Sequence, residues 1–142
     1  MYSYVLYCTL IICCSRVLSI EVPDHLFDEH ILECASKLNV DKRLINQNLD
    51  ESFHLPKGND KLNQYIECIM KSHGMLLEDG TIVRDILDKD TANILLTVMN
   101  KNGDKNEIAK KIGDECINTA GNDLHDRLIN LHNCLVDNAN KY

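Results

Sequence analysis

The chain has 142 residues, a formal net charge of −7 at pH 7 and 44% hydrophobic residues. This acidic balance disfavours nucleic acid and anionic membrane surfaces as partners, because both carry negative charge. The length fits one domain with one core, and no linker, repeat or low-complexity stretch divides it.

The first 19 residues have the pattern of a secretory signal peptide. An apolar run from Tyr4 to Cys14 is followed by a short segment ending at Ser19, where compact residues suit a signal peptidase. The run is too short to cross a hydrocarbon layer of ~30 Å as a helix. A buried helix is the alternative. Cleavage after Ser19 leaves a mature chain of residues 20–142 without Arg16, which changes the net charge from −7 to −8.

Apolar residues, mostly Leu and Ile, recur at helical spacing, and no run of strict alternation indicates a strand. We therefore predict a compact all-α domain of six or seven helices over residues 20–142. The first helix is predicted over Asp24–Leu38, and Asp41 can cap a short second helix. A polar stretch over residues 48–59 reads as a loop, after which Asp60 can cap a third helix.

The second half of the chain shows the same alternation of turns and helices. Thr81, after a turn, can cap a fourth helix, and Asp90 or Thr91 can start another. A turn that contains Gly121 separates the last two helices, and Asp123 can cap the final one.

Removal of the leader reduces seven cysteines to four, Cys34, Cys68, Cys116 and Cys134, each on a different predicted helix. An even number in a secreted chain indicates a disulfide framework, and four cysteines allow three pairings. The helices that carry Cys116 and Cys134 are joined by a short turn, so they form a hairpin that a bridge closes easily. The predicted pairs are therefore Cys116–Cys134 and Cys34–Cys68.

The cysteine spacing resembles that of the insect odorant-binding proteins. That family has six cysteines, of which the second and third lie four residues apart and the last two lie nine apart. Counting back from Cys68 and Cys134 gives Gln64 and His125, at the two positions whose cysteines pair with each other in the family. The chain thus resembles the four-cysteine "minus-C" subgroup. The stretch over residues 66–80 is also similar to the family's segment after its third cysteine.

The resemblance implies a secreted carrier, not an enzyme, whose helices surround an apolar cavity for small hydrophobic molecules such as odorants or pheromones. Apolar residues at helical spacing can equally fill a solid core, so the assignment of each residue to the cavity wall is a hypothesis. The predicted aliphatic and thioether wall residues are Leu62, Ile66, Ile69, Met70, Ile86, Ile94, Val98, Met99, Ile112, Leu124, Leu128 and Leu131, and the predicted polar contacts are Tyr65 and His73.

The resemblance also predicts a contact between Gln64 and His125. If the fold is kept, the side chains of Gln64 and His125 face each other, and an amide and an imidazole can hydrogen-bond across the gap. The alternative is that both side chains point to solvent.

Metal and catalytic sites are disfavoured, and no cofactor is expected. Cys116, His125, His132 and Cys134 are zinc-ligand types, but two nearby cysteines in a secreted chain favour a disulfide. The pair His125-Asp126 lacks the surrounding cysteines and glycine-rich calcium loop of secreted phospholipases. The expected partners are small hydrophobic molecules and, indirectly, a membrane receptor, with the protein a monomer or weak homodimer. A secreted interaction protein of salivary or venom type, on the same scaffold, stays open as the alternative.

Overall fold

The computed structural model describes residues 20–142, and the regular elements in that range are helical. The predicted signal peptide, residues 1–19, lies outside the described residues. The all-α prediction is confirmed, and the one β-type pairing within residues 20–142 is an isolated antiparallel bridge between Leu76 and Ile82. The elements are, in order, a 3-10 turn (Asp24–Leu26), α1 (Glu29–Leu38), α2 (Leu44–Asn48), α3 (Asp60–Ser72), α4 (Arg84–Asp90), a π-turn (Thr91–Leu95), α5 (Leu96–Val98), α6 (Lys105–Cys116) and α7 (Leu124–Ala139).

Side-chain caps start the longer helices. Asp28, Asn59 and Asp123 each accept a hydrogen bond from the backbone N–H three residues further on, at 3.0, 3.1 and 2.8 Å. Asp123 is the predicted cap of the last helix. The predicted start of the first helix at Asp24 is wrong, and so is the prediction that Asp60 caps the third helix. Asp24 opens only a 3-10 turn before Asp28 caps α1, and Asn59 has the extended backbone that a cap requires.

The segment over residues 84–98 also departs from the sequence prediction. Thr81 caps no helix, because the Asp79 carboxylate accepts its backbone N–H at 2.9 Å and holds it in a tight turn, and α4 begins at Arg84. No new helix starts at Asp90 or Thr91, since both residues keep helical backbone angles. Instead α4 continues through the π-turn into α5 as one rod. A π-turn takes an extra residue into a helix and is frequent at functional sites.

Two disulfides join the helices in pairs. Cys34–Cys68 links α1 to α3, and Cys116–Cys134 links α6 to α7. The Cα atoms of the two pairs lie 5.9 and 5.7 Å apart, inside the usual disulfide range of about 4.4–6.8 Å. The pairing is the one that the hairpin argument predicts from the sequence.

The buried side chains form a large cluster and a small one. The large cluster fills the space between α3, the α4–α5 rod, α6 and α7, and includes the fully buried Leu62, Leu96, Ile112 and Val136. The small cluster lies between α1 and α3 and contains Cys34, Ala35 and Tyr65.

Candidate functional site

A cavity of about 250 Å³ lies among the first three helices, the α4–α5 rod and α7. Polar side chains at its wall are Lys42, Asn46, Tyr65, His73, Asp90, Thr91 and His132. Its apolar lining consists of Val22, Leu26, Phe27, Ile31, Ile45, Leu49, Phe53, Leu55, Ile66, Ile69, Met70, Met75, Leu87, Ile94, Leu95, Val98, Leu128, Leu131 and Leu135.

Many of the wall residues predicted from the sequence lie at this cavity. They come from the middle and end of α3, from the α4–α5 rod and from α7. They are Tyr65, Ile66, Ile69, Met70, His73, Ile94, Val98, Leu128 and Leu131. Their contact with a ligand stays a prediction.

Other predicted wall residues lie elsewhere. Leu62, Met99 and Ile112 are buried in the large core cluster, and Ile86 and Leu124 are partly buried against it. For Ile112, the physical reason is the position of α6. It packs against α4 and α7 on a side away from the cavity, and this fully described helix contributes no residue to the wall.

Part of the wall comes from irregular segments that helical periodicity does not report. Val22 and Phe27 precede α1, while Phe53 and Leu55 lie in the loop between α2 and α3. Phe53 has a left-handed backbone, with φ 67°, and its carbonyl is bound by His132. The only sequence signal for these residues is that they are apolar within polar stretches.

Tyr65 is buried, and its hydroxyl is occupied by the protein. The hydroxyl donates to the backbone carbonyl of Lys42 at 3.1 Å, with the Ile31 carbonyl 3.4 Å away. Burial, followed by the charge of Asp41, raises the pKa of Tyr65 to about 12. The phenol is therefore neutral and ties α3 to α1 and to the start of α2.

His73 joins three segments at the cavity wall. Its Nδ1 lies 3.0 Å from Asp90 Oδ2, and its Nε2 lies 2.9 Å from Asp28 Oδ2. The His30 ring packs edge-on at 5.1 Å. The hydrogen bond to Asp90 raises the pKa of His73 above its ordinary 6.5, against the effect of burial. His73 thus connects the end of α3 to the starts of α1 and of the π-turn, and its raised pKa favours the protonated form.

Replacement of His73 by Gln is expected to lower the melting temperature more at about pH 5.5 than at about pH 8.5. Because the folded pKa of His73 is raised, its stabilisation is complete below pH 6.5 and disappears as the pH rises through the folded value. Thermal melts across this range measure the effect, with the exposed His25→Gln as the control. A loss that is equal at both pH values would contradict the ion-pair role.

The pKa of His132 is shifted in the opposite direction to that of His73. Its Nε2 lies 2.9 Å from the backbone carbonyl of Phe53, to which the ring N–H donates. The residue is half-buried, and this burial lowers the pKa of His132 against the effect of the hydrogen bond to Phe53, with a smaller contribution from the charge of His54. Near neutral pH the imidazole is uncharged, which suits a wall residue among Leu128, Leu131 and other apolar side chains.

Within residues 20–142, no three His, Cys, Asp or Glu side chains come together in a way that could hold a metal ion. Cys116 and Cys134, both zinc-ligand types, are joined to each other in a disulfide. Among the helices of that same range, none is long and apolar enough to cross a membrane.

A family model described as the PBP/GOBP family matches residues 24–138. The match spans most of the chain, including both disulfides and nearly all of the cavity wall. The chain belongs to this family. Its members are the insect odorant- and pheromone-binding proteins, which are small binding proteins and not enzymes. No curated protein and no solved structure matches the chain.

Gln64 and His125, expected from the resemblance to face each other, do not make the predicted contact. His125 does not bond Gln64, which is exposed; its Nε2 lies 2.7 Å from Glu67 Oε2 instead. This hydrogen bond is the main reason that the pKa of Glu67 is lowered. The carboxylate of Glu67 lies one turn beyond Gln64 on α3. It is a stronger acceptor than a neutral amide, because charge-assisted hydrogen bonds are roughly twice as strong.

Proposed function

We propose that residues 20–142 form a secreted soluble carrier that binds small hydrophobic ligands, of odorant or pheromone type, in the cavity. The observation that carries this proposal is a space of about 250 Å³ with an almost wholly apolar lining. Transfer of apolar ligand surface from water to such a wall is worth ~25 cal/mol per Å². A water molecule takes ~30 Å³ of liquid volume, so the space suits a ligand of roughly ten non-hydrogen atoms.

Filling the cavity with a larger side chain is expected to abolish binding. Val98→Trp places an indole where Val98 lines the cavity, and the affinity for an apolar fluorescent dye is expected to fall by at least ~10-fold. Leu77→Trp is the matched control, because Leu77 is 45% exposed and outside the wall. Circular dichroism checks that both variants fold. Equal dye affinity in both would contradict binding in this cavity.

Secretion is the second part of the proposal. It is supported by the signal-peptide pattern of residues 1–19 and by the fact that proteins of this family are typically secreted. Expression of the whole chain in insect cells is expected to deliver the protein to the medium with Ile20 as its first residue. N-terminal sequencing or intact mass measures this. Protein that stays in the cells with Met1 in place would refute the signal peptide.

We also assign the chain to the four-cysteine subgroup, which the two disulfides and the residues Gln64 and His125 support. We expect a monomer or weak homodimer that brings its ligand, indirectly, to a membrane receptor. The alternative is an interaction protein of salivary or venom type on the same scaffold. A folded wild-type protein with no saturable dye binding would favour that alternative.

A further inference from the structure

The protein itself occupies most of the polar side chains at the cavity wall. The Tyr65 hydroxyl donates to the Lys42 carbonyl at 3.1 Å, and the His132 ring donates to the Phe53 carbonyl at 2.9 Å. His73 is held between two carboxylates. A ligand therefore gains no hydrogen bond from Tyr65 or His132 unless it breaks one within the protein, and the buried His73 Nε2 faces the Asp28 carboxylate at 2.9 Å.

Thr91 is different. It lines the cavity, is only 4% exposed, and its hydroxyl takes part in none of the side-chain hydrogen bonds among residues 20–142. The amide nitrogen of Asn46 also lacks a partner, but protein atoms cover it completely, so no ligand reaches it. The hydroxyl of Thr97, on the same rod, is bonded to the Ala92 carbonyl at 3.5 Å and to Lys105 Nζ at 3.0 Å.

Thr91 Oγ1 is not among the side-chain atoms of residues 20–142 that are both covered by protein and without a partner, so a molecule in the cavity can reach this hydroxyl. Thr91 is also the first residue of the π-turn, a helix irregularity that is frequent at functional sites. Ile94, Leu95 and Val98, further along the rod, line the same cavity. The hydroxyl thus stands at the start of a stretch of the rod that is otherwise apolar toward the cavity.

We propose that Thr91 is the specificity-determining residue of the cavity and selects ligands that carry one neutral oxygen group. A hydroxyl both donates and accepts, so it pairs with an alcohol, aldehyde, ketone or ester. Carboxylic acids are disfavoured, because Asp90, the residue before Thr91, also lines the cavity and its carboxylate repels an anion, while the wall cation Lys42 is paired with Asp24. The inference rests on the proposed carrier function and names the ligand class of the same cavity.

Displacement of an apolar dye by two matched ligands tests the proposal. The ligands are a medium-chain methyl ketone and the alkane with the same number of non-hydrogen atoms. Thr91→Val keeps the shape of the side chain and removes the hydroxyl. It is expected to weaken ketone binding by about fivefold, the value of one net hydrogen bond. The affinity for the alkane is expected to stay unchanged or to rise.

Two further variants separate a ligand contact from a structural effect. Thr91→Ser restores a hydroxyl and is expected to recover most of the ketone affinity. Thr97→Val, on the same rod but outside the wall, is expected to leave the ratio of ketone to alkane affinity unchanged. A medium-chain fatty acid is expected to bind more weakly than the ketone at neutral pH.

The outcomes distinguish this inference from the carrier function on which it rests. If wild-type protein binds no dye, the carrier function itself is wrong. If the dye binds but Thr91→Val changes the ketone and the alkane equally, or neither, the assignment of Thr91 is overturned. Preferential binding of the fatty acid would overturn the ligand class.

Discussion

Replacement of Cys34 and Cys68 by Ala is expected to lower the free energy of unfolding by about 4 kcal/mol, and replacement of Cys116 and Cys134 by about 3 kcal/mol. The difference follows from loop length, because the bridges join residues separated by 34 and 18 positions. A longer closed loop removes more entropy from the unfolded chain. Urea unfolding at 25 °C, followed by circular dichroism, measures both values.

These losses are large beside the ~5–15 kcal/mol stability of an ordinary domain. A thiol assay under denaturing conditions serves as the control, since each double variant must keep its other bridge and show no free cysteine. A greater loss from the Cys116–Cys134 pair than from the Cys34–Cys68 pair would mean that loop entropy does not set the contribution of these bridges.

The two bridges are also expected to differ in their effect on the cavity. Cys34–Cys68 holds α1 on α3, and both helices supply wall residues, among them Ile31 and Ile69. The other bridge anchors α6, which has no residue at the cavity. Removal of Cys34–Cys68 is therefore expected to lower the dye affinity by more than the loss of folded protein accounts for. Dye titration of the folded variants measures this.

The sequence predicts most helices and both disulfides, because apolar periodicity, cap residues and the short turn between two cysteine-bearing helices can be read from neighbouring residues. Asp123 caps α7 as predicted, since a cap residue before an apolar stripe is a short-range pattern. The continuous rod through Thr91 is not predictable in this way. Asp90 and Thr91 are good cap residues, but each also fits inside a helix, and packing of the rod against α6 decides between the two states.

The cavity is harder to predict than the fold, because periodicity tells which side of a helix is buried but not what lies opposite. Leu62 and Ile66 lie one turn apart on α3, yet Leu62 faces solid core and Ile66 lines the cavity. The same stripe on α6 places Ile112 wholly in the core. Phe53 and Leu55 reach the wall from a loop, where no periodic signal exists.

Replacement of Gln64 and His125 by Cys is expected to form a third disulfide and to raise the free energy of unfolding by about 2–4 kcal/mol. His125 contacts Glu67, one helical turn from Gln64, so position 125 lies beside the face of α3 that carries position 64. The cysteine spacing that resembles the family would place a bridge of six-cysteine members at these two positions. Urea unfolding of the oxidised protein measures the gain.

Gln64→Ser with His125→Ser is the matched control, because it also removes the His125–Glu67 contact but cannot form a bridge. The gain of the cysteine variant is read against this control, which is expected to lie slightly below the wild type. Lys71 stays 3.1 Å from Glu67 in the control, so the carboxylate keeps a partner. Persistent free thiols in the oxidised cysteine variant would mean that α3 and α7 are too far apart at this point. The contact between His125 and Glu67 would then span a wider gap than a disulfide can close.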